Sequence, residues 1–410
     1  MHPSPDSFDG HGIAPEILAI LKNLGFTTPT PIQHQAIPAA VDGSDVIGIA
    51  QTGTGKTLSF GIPMIQSIKK NGGNGLVVLP TRELALQVDE VFQKIGKPLG
   101  IRTAVFIGGA SMHLQRQMIK QQPHILIATP GRLLDHMEKR TITLAKVSVL
   151  VLDEADRMLD MGFAPQINRI LAAVPTDRQT LLFSATMPND IVTIATRHMK
   201  TPLRIEVAPA GTTAERVSQE LYIVHRDEKL KLLEAIIREE PGSALVFSRT
   251  KYGAKNITTK LNAMGFKVAE IHSNRSLGQR KDALDGFKKG RYKVLVATDI
   301  ASRGIDVTGI GVVVNYDLPN DPEDYVHRIG RTGRAGLEGR AVSFALPDQR
   351  DEIKRIERLI RNDIPRKGLP QGLSEAKLAE PARRPVHSVS SGSVRSRPQR
   401  KKWRVHRSGR

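Results

Sequence analysis

Short runs of apolar, often β-branched residues recur along the chain, and segments with helical spacing of apolar positions separate them. Five such runs occupy the first half: Asp45–Ala50, Gly75–Pro80, Ile125–Thr129, Val147–Leu152 and Thr180–Ser184. Five more occupy the second half: Ala244–Ser248, Lys267–His272, Lys293–Thr298, Val312–Tyr316 and Arg340–Ala345. Apolar strands that alternate with helices are typical of parallel sheets covered on both faces. The pattern therefore predicts an α/β fold with two similar domains in tandem.

The stretch from Pro202 to Ser218 has no sustained periodicity and contains Pro209 and Gly211, which is typical of a linker. We assign residues 1–207 to a first domain, 208–217 to the linker, 218–366 to a second domain and 367–410 to a disordered basic tail. The two domains are expected to rotate about the linker.

The charge balance points to a polyanionic partner. The 410 residues include 60 Lys and Arg against 41 Asp and Glu, a net charge of +19. Residues 381–410 contain ten of these cations and no Asp or Glu. The absence of cysteine excludes disulfides, thiolate nucleophiles and Cys-ligated metals. With no signal peptide or long apolar run, we expect a soluble cytoplasmic protein.

The segment Ala50–Thr57 lies between a predicted strand and a predicted helix, which is the setting of a phosphate-binding P-loop. Gly53 and Gly55 let backbone N–H groups approach phosphate oxygens, Lys56 reaches the β and γ phosphates, and the Thr57 hydroxyl ligates Mg²⁺. The alternative is a flexible turn with a solvated lysine. The candidate ATP-binding residues of this loop are Gln51, Thr52, Gly53, Thr54, Gly55, Lys56 and Thr57.

Three carboxylates, Asp153, Glu154 and Asp156, follow another apolar strand within four residues. Such crowding of like charges is unfavourable unless a cation compensates. We expect Asp153 to hold Mg²⁺ together with Thr57, and Glu154 to orient or deprotonate an attacking water. The alternative is a helix N-terminus that merely carries acids.

The run Asp-Glu-Ala-Asp at 153–156, after the P-loop, resembles the signature of the DEAD-box ATP-dependent RNA helicases, and the resemblance extends over nearly all of residues 8–345. It implies two tandem RecA-like P-loop domains that close over ATP, Mg²⁺ and a single RNA strand. The stretch Arg157–Phe163 and the compact core before a basic tail are most similar to the bacterial RhlE-like subgroup.

Residues 25–33 resemble the adenine-reading Q motif of that family, with Phe8 at the expected distance upstream. The resemblance implies that the Gln33 amide bonds the adenine edge and that Phe8 stacks on the base, with Phe26 beside them. An amide can do this because it both donates and accepts hydrogen bonds. The alternatives are a polar loop residue and ordinary core aromatics.

The family's RNA-gripping motifs have counterparts after several predicted strands. Hydroxyls, arginines and exposed glycine N–H groups suit a phosphodiester track and read no base edges. On their own, these segments would be ordinary strand-to-helix turns. The implied RNA-binding residues are Pro80, Thr81, Arg82, Gly109, Thr129, Pro130, Gly131 and Arg132 in the first domain and Arg249, Thr298 and Arg303 in the second.

The resemblance also implies that residues of the second domain contact the nucleotide that the first domain binds. Gly304 and Asp306 would face the nucleotide, with Asp306 accepting from the ribose. Arg331 and Arg334 would act as arginine fingers on the γ-phosphate. The residues implied in coupling the domains are Ser184, Thr186, His327 and Arg328.

The segment His272–Arg280 departs from the family pattern. It begins His-Ser where the family normally has His-Gly, and Leu277 stands where the family has Gln, while Arg280 is retained. We expect altered RNA or interdomain contacts at this segment, with the ATPase core intact.

We therefore predict an RNA-stimulated ATPase that locally unwinds short RNA duplexes or remodels RNA–protein complexes. Two alternatives use the same motifs: an ATP-gated RNA clamp with little unwinding, and a DNA translocase. The tail, with Trp403 among arginines and lysines, is expected to tether RNA, the alternative being a solubilising segment. Ribosomal or RNA-decay assemblies are expected partners at the level of the subgroup.

Overall fold

The computed structural model describes residues 7–50, 53–207, 217–302, 307, 309–333, 339–374 and 378. The predicted linker, apart from Val217, and the tail residues 375–377 and 379–410 lie outside the described residues. Predictions about those parts stay predictions. So do those about six site residues that also lie outside: Gln51, Thr52, Arg303, Gly304, Asp306 and Arg334.

The first half of the chain opens with two helices and continues with alternating strands and helices. The strands are β1 (Val46–Ile49), β2 (Asn74–Val78), β3 (Thr103–Phe106), β4 (Ile125–Ala128), β5 (Val147–Leu152), β6 (Gln179–Ser184) and β7 (Leu203–Glu206). The helices are α1 (Pro15–Asn23), α2 (Pro31–Val41), α3 (Lys56–Asn71), α4 (Arg82–Gly96), α5 (Met112–Lys120), α6 (Pro130–Glu138), α7 (Ala155–Asp160), α8 (Ala164–Ala173) and α9 (Asn189–His198).

These seven strands form one parallel sheet in the order β3-β4-β2-β5-β6-β1-β7. In β1, for example, Val46 lies beside Leu181 of β6 and Leu203 of β7. Val77 belongs to one core cluster and its neighbour Leu76 to another, so adjacent residues of a central strand face two separate cores. This is why the central strands are apolar at consecutive positions.

The second half forms a six-stranded parallel sheet in the order β10-β11-β9-β12-β13-β8. Its strands are β8 (Val217–Ile223), β9 (Ser243–Phe247), β10 (Val268–Ile271), β11 (Val294–Ala297), β12 (Ile310–Asn315) and β13 (Gly339–Ala345). Its helices are α10 (Lys229–Glu239), α11 (Lys251–Ala263), α12 (Leu277–Lys288), α13 (Asp299–Ser302), α14 (Pro322–Ile329) and α15 (Arg350–Ile360). Among the described helices, none has the length and apolar character needed to cross a membrane.

The two parallel sheets confirm the predicted fold class, and each of the ten predicted strands is present. Three strands were not predicted: β3, β7 and β8. All three lie in the outer part of a sheet, and β7 exposes Leu203, Arg204 and Glu206, so it lacks an apolar run. Because β7 lies inside Pro202–Ser218, that stretch is not linker throughout.

Residues 367–374, which the sequence assigned to the tail, pack against the second domain. The Lys367 N–H donates to the Leu221 carbonyl at 2.9 Å. Leu369 and Leu373 lie against the core cluster that contains Val246 and Phe344. Residues 367–374 of the predicted tail are therefore part of the folded second domain, because Leu369 and Leu373 pack against its core.

Candidate functional site

Three neighbouring strands of the first sheet bring the predicted nucleotide residues together. β5, β6 and β1 are adjacent, and their carboxyl ends lie at one edge because the strands are parallel. Asp153 follows β5, Ser184 ends β6, and the loop that leads to Lys56 follows β1. This edge is where ligands bind in open α/β sheets.

The P-loop lysine is buried and fixed. Gly55 precedes α3 with a φ of 91°, a conformation that favours glycine, and Gly53 has a φ of 88°. Lys56 exposes only 6% of its surface, and its Nζ donates to the Ala50 carbonyl at 2.9 Å. Its Nζ also lies 3.9 Å from Asp153 Oδ1. This placement excludes the alternative of a solvated lysine.

Asp153 lies in a buried site that destabilises its charged form. Burial raises the pKa of Asp153 to about 6, while Lys56 opposes the rise and Glu154 adds to it. A bound cation would relieve this penalty. The Asp153 carboxylate and the half-buried Thr57 hydroxyl are hard oxygen donors of the kind Mg²⁺ prefers, so the residues fit the ion. Within the described residues no cluster of three or more His, Asp or Glu forms a complete metal cage, and Mg²⁺ commonly uses few protein ligands with nucleotide phosphates.

Glu154 adopts a left-handed backbone conformation, with a φ of 51° immediately before α7. Such a conformation is uncommon for a residue with a β-carbon and often occurs at functional sites. The side chain is 2% exposed, and its Oε2 lies 3.6 Å from Arg157 Nε. The backbone thus holds Glu154 beside Asp153 in a fixed direction.

Asp156 joins the acidic motif to the end of β6. Its Oδ2 accepts from the Ala185 N–H at 3.0 Å, the Thr186 N–H at 2.8 Å and the Thr186 hydroxyl at 3.0 Å. Its own N–H donates to Ser184 Oγ at 3.2 Å. Ser184 and Thr186, predicted to couple the domains, thus bind Asp156 within the first domain. Sequence reasoning counted Asp156 only as a third acid.

The three residues predicted to bind adenine differ in how deeply they are buried. Gln33 is 3% exposed; its Oε1 accepts from the Thr30 N–H at 2.9 Å and its Nε2 donates to the Gly55 carbonyl at 3.0 Å. Phe26 is 41% exposed and open to a ligand. Phe8 is 4% exposed within the core cluster of the first domain, so this position does not support stacking on a base. Its ring contributes to packing instead.

The predicted RNA residues of the first domain follow β2, β3 and β4, which form the other half of the same sheet. Thr81 begins α4 by accepting from the Leu84 N–H at 3.3 Å. The Arg82 guanidinium lies against Gly109, whose φ is 76°; a β-carbon there would lie 3.2 Å from Arg82 Cζ and closer still to Nη1. Gly109 is therefore required for the approach of Arg82.

The motif after β4 begins α6. Thr129 precedes the helix and is 9% exposed, Pro130 occupies its first position, and Gly131 is exposed with open space around it. Arg132 Nη1 donates to the Ala110 carbonyl at 2.9 Å, which ties this motif to the turn after β3. Pro80 is buried at the end of β2. The predicted nucleotide residues thus lie at the β5-β6-β1 half of this sheet edge, and the predicted RNA residues of the first domain lie at the β3-β4-β2 half.

Arg249 and Thr298 line an open groove of about 360 Å³ in the second domain, to which the first domain contributes Asp160 and Met161. The Arg249 N–H donates to Asp317 Oδ2 at 3.0 Å, and its guanidinium donates to the Leu318 carbonyl at 3.2 Å. Lys251 lines the same groove. The structure therefore places two of the three predicted RNA residues of this domain on one surface, the third, Arg303, lying outside the described residues.

Arg328, predicted to couple the domains, is held within the second domain. Its Nε and Nη2 donate to the two oxygens of Asp299 at 2.6 and 2.8 Å, and its Nη1 donates to Asn315 Oδ1 at 3.0 Å. The guanidinium also lies 5.0 Å from the centroid of the Phe247 ring. This network fixes the start of the segment that carries Arg331.

A small cavity of about 10 Å³, room for roughly one water, joins the two domains at Arg331. Arg157 of the first domain lines it, with His327, Arg328 and Arg331 of the second. Because Arg157 also contacts Glu154, the predicted base and the predicted arginine finger are connected through it. Sequence reasoning missed Arg157, which it used only for the subgroup.

A buried ion pair crosses between the domains at the RNA half of the sheet. Arg280 Nη2 lies 2.8 Å from Glu83 Oε2, and the two side chains are 9% and 7% exposed. Burial raises the pKa of Glu83, and the Arg280 guanidinium opposes that rise. Leu277, one turn before Arg280, packs against the core cluster of the first domain. The segment His272–Arg280, where the sequence predicted altered RNA or interdomain contacts, therefore contacts the first domain. Glu83 was not predicted from the sequence.

Family models cover most of both domains. The DEAD/DEAH box helicase model matches residues 30–194, and the helicase conserved C-terminal domain model matches residues 228–336. The DEAD-box ATP-dependent RNA helicase CshA of Bacillus licheniformis is 43% identical over 367 residues, covering 89% of this chain and 75% of the relative. The ATP-dependent RNA helicase DbpA of Bacillus subtilis is 42% identical, covering 87% and 75%.

Solved structures with the same arrangement include complexes with nucleotide analogues. Dbp5 of S. cerevisiae bound to RNA and ADP BeF3 is 31% identical, with a TM-score of 0.79 over 88% of this chain and 95% of that chain. Mss116p bound to ssRNA and AMP-PNP is 28% identical, with a TM-score of 0.81 over 88% and 79%. The predicted RhlE-like subgroup stays a prediction.

Proposed function

The chain belongs to the DEAD-box ATP-dependent RNA helicase family, and from this premise we propose that it separates short RNA duplexes locally, or remodels RNA–protein complexes, with RNA-stimulated hydrolysis of ATP. One observation carries the proposal: the nucleotide candidates and the RNA candidates lie on two halves of one sheet edge, and the second domain touches both halves. Neither domain holds a complete site. ATP and RNA are thereby coupled through closure of the domains.

In the nucleotide half, Lys56 and the glycines of its loop bind the phosphates. Thr57 and Asp153 would hold Mg²⁺, which when bound neutralises phosphate charge. A water attacks the γ-phosphorus, its proton passes to the Glu154 carboxylate, and the bond to the β,γ-bridging oxygen breaks to give ADP and inorganic phosphate. Arg331 and Arg334 stabilise the charge that develops on the γ-phosphoryl group, a contribution of roughly 10³ to 10⁵ in rate in comparable enzymes.

In the RNA half, Arg82, Gly109 and Arg132 bind one strand through its phosphates, and Arg249 and Thr298 continue the track in the second domain. Such contacts do not read the base sequence. Contacts to ribose 2′-hydroxyls would favour RNA over DNA. The Glu83–Arg280 pair adjoins Arg82 and therefore joins RNA binding to closure.

The arrangement of the two sheets supports a closed, ligand-binding state, since the TM-scores of 0.79 and 0.81 belong to neighbours bound to RNA and a nucleotide analogue. We also propose a cytoplasmic location, because these relatives are bacterial RNA helicases. Partners in ribosome assembly or RNA decay stay a prediction from the subgroup resemblance.

Strand displacement on a short RNA duplex tests the proposal, with ATPase measured in the presence of RNA and of DNA of the same sequence. A helicase displaces the strand only with ATP and is stimulated by RNA. RNA-stimulated hydrolysis without displacement would favour the RNA clamp. Stimulation by DNA equal to that by RNA would favour the DNA translocase.

A further inference from the structure

A buried polar network lies beneath the two RNA candidates of the first domain. Gln115, on α5, is at its centre: its Nε2 donates to the Ile107 carbonyl at 3.0 Å, just before the Gly108–Gly109 turn. Its Oε1 accepts from Arg132 Nη1 at 3.0 Å and lies 2.9 Å from His136 Nε2. The same Arg132 nitrogen donates to Ala110, just after the turn. One amide therefore connects both ends of the turn to α6.

The amide of Gln115 has a single consistent orientation. Since the Gln115 nitrogen donates to Ile107 and its oxygen accepts from Arg132, the orientation of the amide is determined. His136 must then donate from Nε2, while its Nδ1 lies 2.8 Å from the Thr141 hydroxyl, whose single hydrogen can go to that nitrogen or to the His136 carbonyl at 3.0 Å. Gln115 is 2% exposed and His136 is fully buried. A buried amide whose oxygen and nitrogen are both bonded fixes the groups that it contacts.

We propose that Gln115 is a positioning residue for RNA binding, which holds the Gly108–Ala110 turn and the Arg132 guanidinium in the one arrangement where both meet the same RNA backbone. The inference rests on the proposed function, because it takes Arg132 and Gly109 as RNA contacts. Gln115 itself touches no ligand. It restricts the rotamers of the long Arg132 side chain together with the Ala110 carbonyl and the Asp135 carboxylate, whose Oδ2 lies 3.3 Å from Arg132 Nε.

A residue that only stabilises the fold would differ from this in its effects. Loss of such a residue lowers the stability and every activity together. Loss of a positioning residue for RNA raises the RNA concentration needed for half-maximal ATPase, while the turnover rate at saturating RNA and the KM for ATP hold. Saturated turnover and the KM for ATP depend on the nucleotide half of the sheet edge, so they are the internal reference for a change confined to RNA binding.

Gln115→Met tests the proposal, because methionine has a similar length and no amide. We expect the RNA concentration for half-maximal ATPase to rise about tenfold, with saturated turnover within about twofold. Gln117→Met is the matched control, since Gln117 lies two residues along the same helix, is exposed and bonds His113 on the same face. An unchanged RNA requirement, or an equal fall in saturated turnover, overturns the proposal.

Gln115→Glu provides a second variant if methionine impairs folding. The carboxylate keeps both acceptor bonds, loses the donor bond to the Ile107 carbonyl and neutralises Arg132, so the slope of log affinity against log salt for a single strand should flatten by about 0.7. Gln117→Glu adds the same charge on the exposed face and should leave the slope unchanged. Equal slopes for Gln115→Glu and the parent chain would show that the Arg132 held by residue 115 meets no phosphate, which overturns the inference.

A double-mutant cycle with Arg132→Ala separates this inference from the function beneath it. If Gln115 acts through Arg132, then Gln115→Met should cost little further RNA affinity once Arg132 is alanine. Additive losses overturn the inference and leave the proposed RNA track intact. If Arg132→Ala alone leaves RNA affinity unchanged, both the RNA role of Arg132 and the inference built on it are wrong.

Discussion

Arg280 and Glu83, 197 residues apart in the chain, form a buried ion pair of 2.8 Å between the two domains. Glu83 directly follows Arg82, the arginine that lies against Gly109. When the domains separate, both charges return to water, so the pair contributes to closure rather than to the stability of either domain. Closure and RNA binding are therefore connected at adjacent residues of α4.

Removal of one partner of this pair should weaken closure. In Arg280→Ala the Glu83 carboxylate stays buried without its partner, which opposes docking of the second domain. We expect RNA affinity in the presence of a non-hydrolysable ATP analogue to fall by about 1–3 kcal/mol, roughly 5- to 150-fold. RNA affinity without nucleotide is the control and should change little. Equal losses with and without the analogue would contradict a role in closure.

Leu277 should stabilise the same interdomain contact, because its side chain buries apolar surface against the first domain. Leu277→Ala removes apolar surface packed against the core of the first domain and should weaken nucleotide-dependent RNA binding by about 1 kcal/mol, roughly fivefold. RNA titrations with and without the ATP analogue measure it, and Gly278→Ala, at the exposed neighbouring position, is the control. An unchanged affinity would show that Leu277 is not part of the closed interface.

Asp153→Asn should stabilise the ligand-free protein at high pH. The folded pKa of about 6 lies above the ordinary value of 3.8, so the ionised carboxylate destabilises the folded state as pH rises through this interval. Removal of the charge should add up to about 3 kcal/mol to the free energy of unfolding at pH 8 and roughly half of that at pH 5. Denaturant unfolding at both pH values checks this. A pH-independent difference would mean that the carboxyl is not perturbed.

Glu154→Gln should permit binding but block turnover. The amide keeps the shape of the side chain and cannot accept the proton of the attacking water, so hydrolysis should fall by about 10² or more. RNA should then dissociate slowly while ATP is present. Stopped-flow release of a labelled RNA strand measures this, and fast release in ATP would show that Glu154 does not control reopening.

Gly109→Ala should impair RNA binding and spare ATP binding. Alanine is strained at a φ of 76° by about 1–2 kcal/mol, and its β-carbon would displace the Arg82 guanidinium. RNA affinity is the measurement, with ATP affinity in the absence of RNA as the internal control. A variant that binds RNA normally would show that Arg82 does not need this position.

Much of this arrangement was predictable because the motifs end apolar strands. The segments after β1 and β5 could be assigned from local pattern, whereas the segment after β6 was assigned from the family resemblance alone, and the parallel sheet brings all three to one edge. The edge strand β7 has too few apolar residues to be recognised. The Glu83–Arg280 pair depends on how two domains pack, which local spacing does not encode. Phe8 was expected at the base and lies in the core, since a motif position does not determine which face of the chain an aromatic ring occupies.

Gln33 already uses both ends of its amide, accepting from Thr30 and donating to the carbonyl of Gly55. The oxygen still has a second lone pair and the nitrogen a second N–H, so adenine can bond to this amide while both internal bonds are kept. The internal bonds fix the direction of the amide before a base arrives, because its oxygen and nitrogen cannot exchange places without breaking them. A base with the wrong pattern of donors and acceptors would therefore meet a fixed amide that it cannot pair with, and its unpaired groups would lower its affinity. The direction of the amide, and with it the preference for adenine, is thus set by the P-loop backbone, since the Gly55 carbonyl directly precedes Lys56.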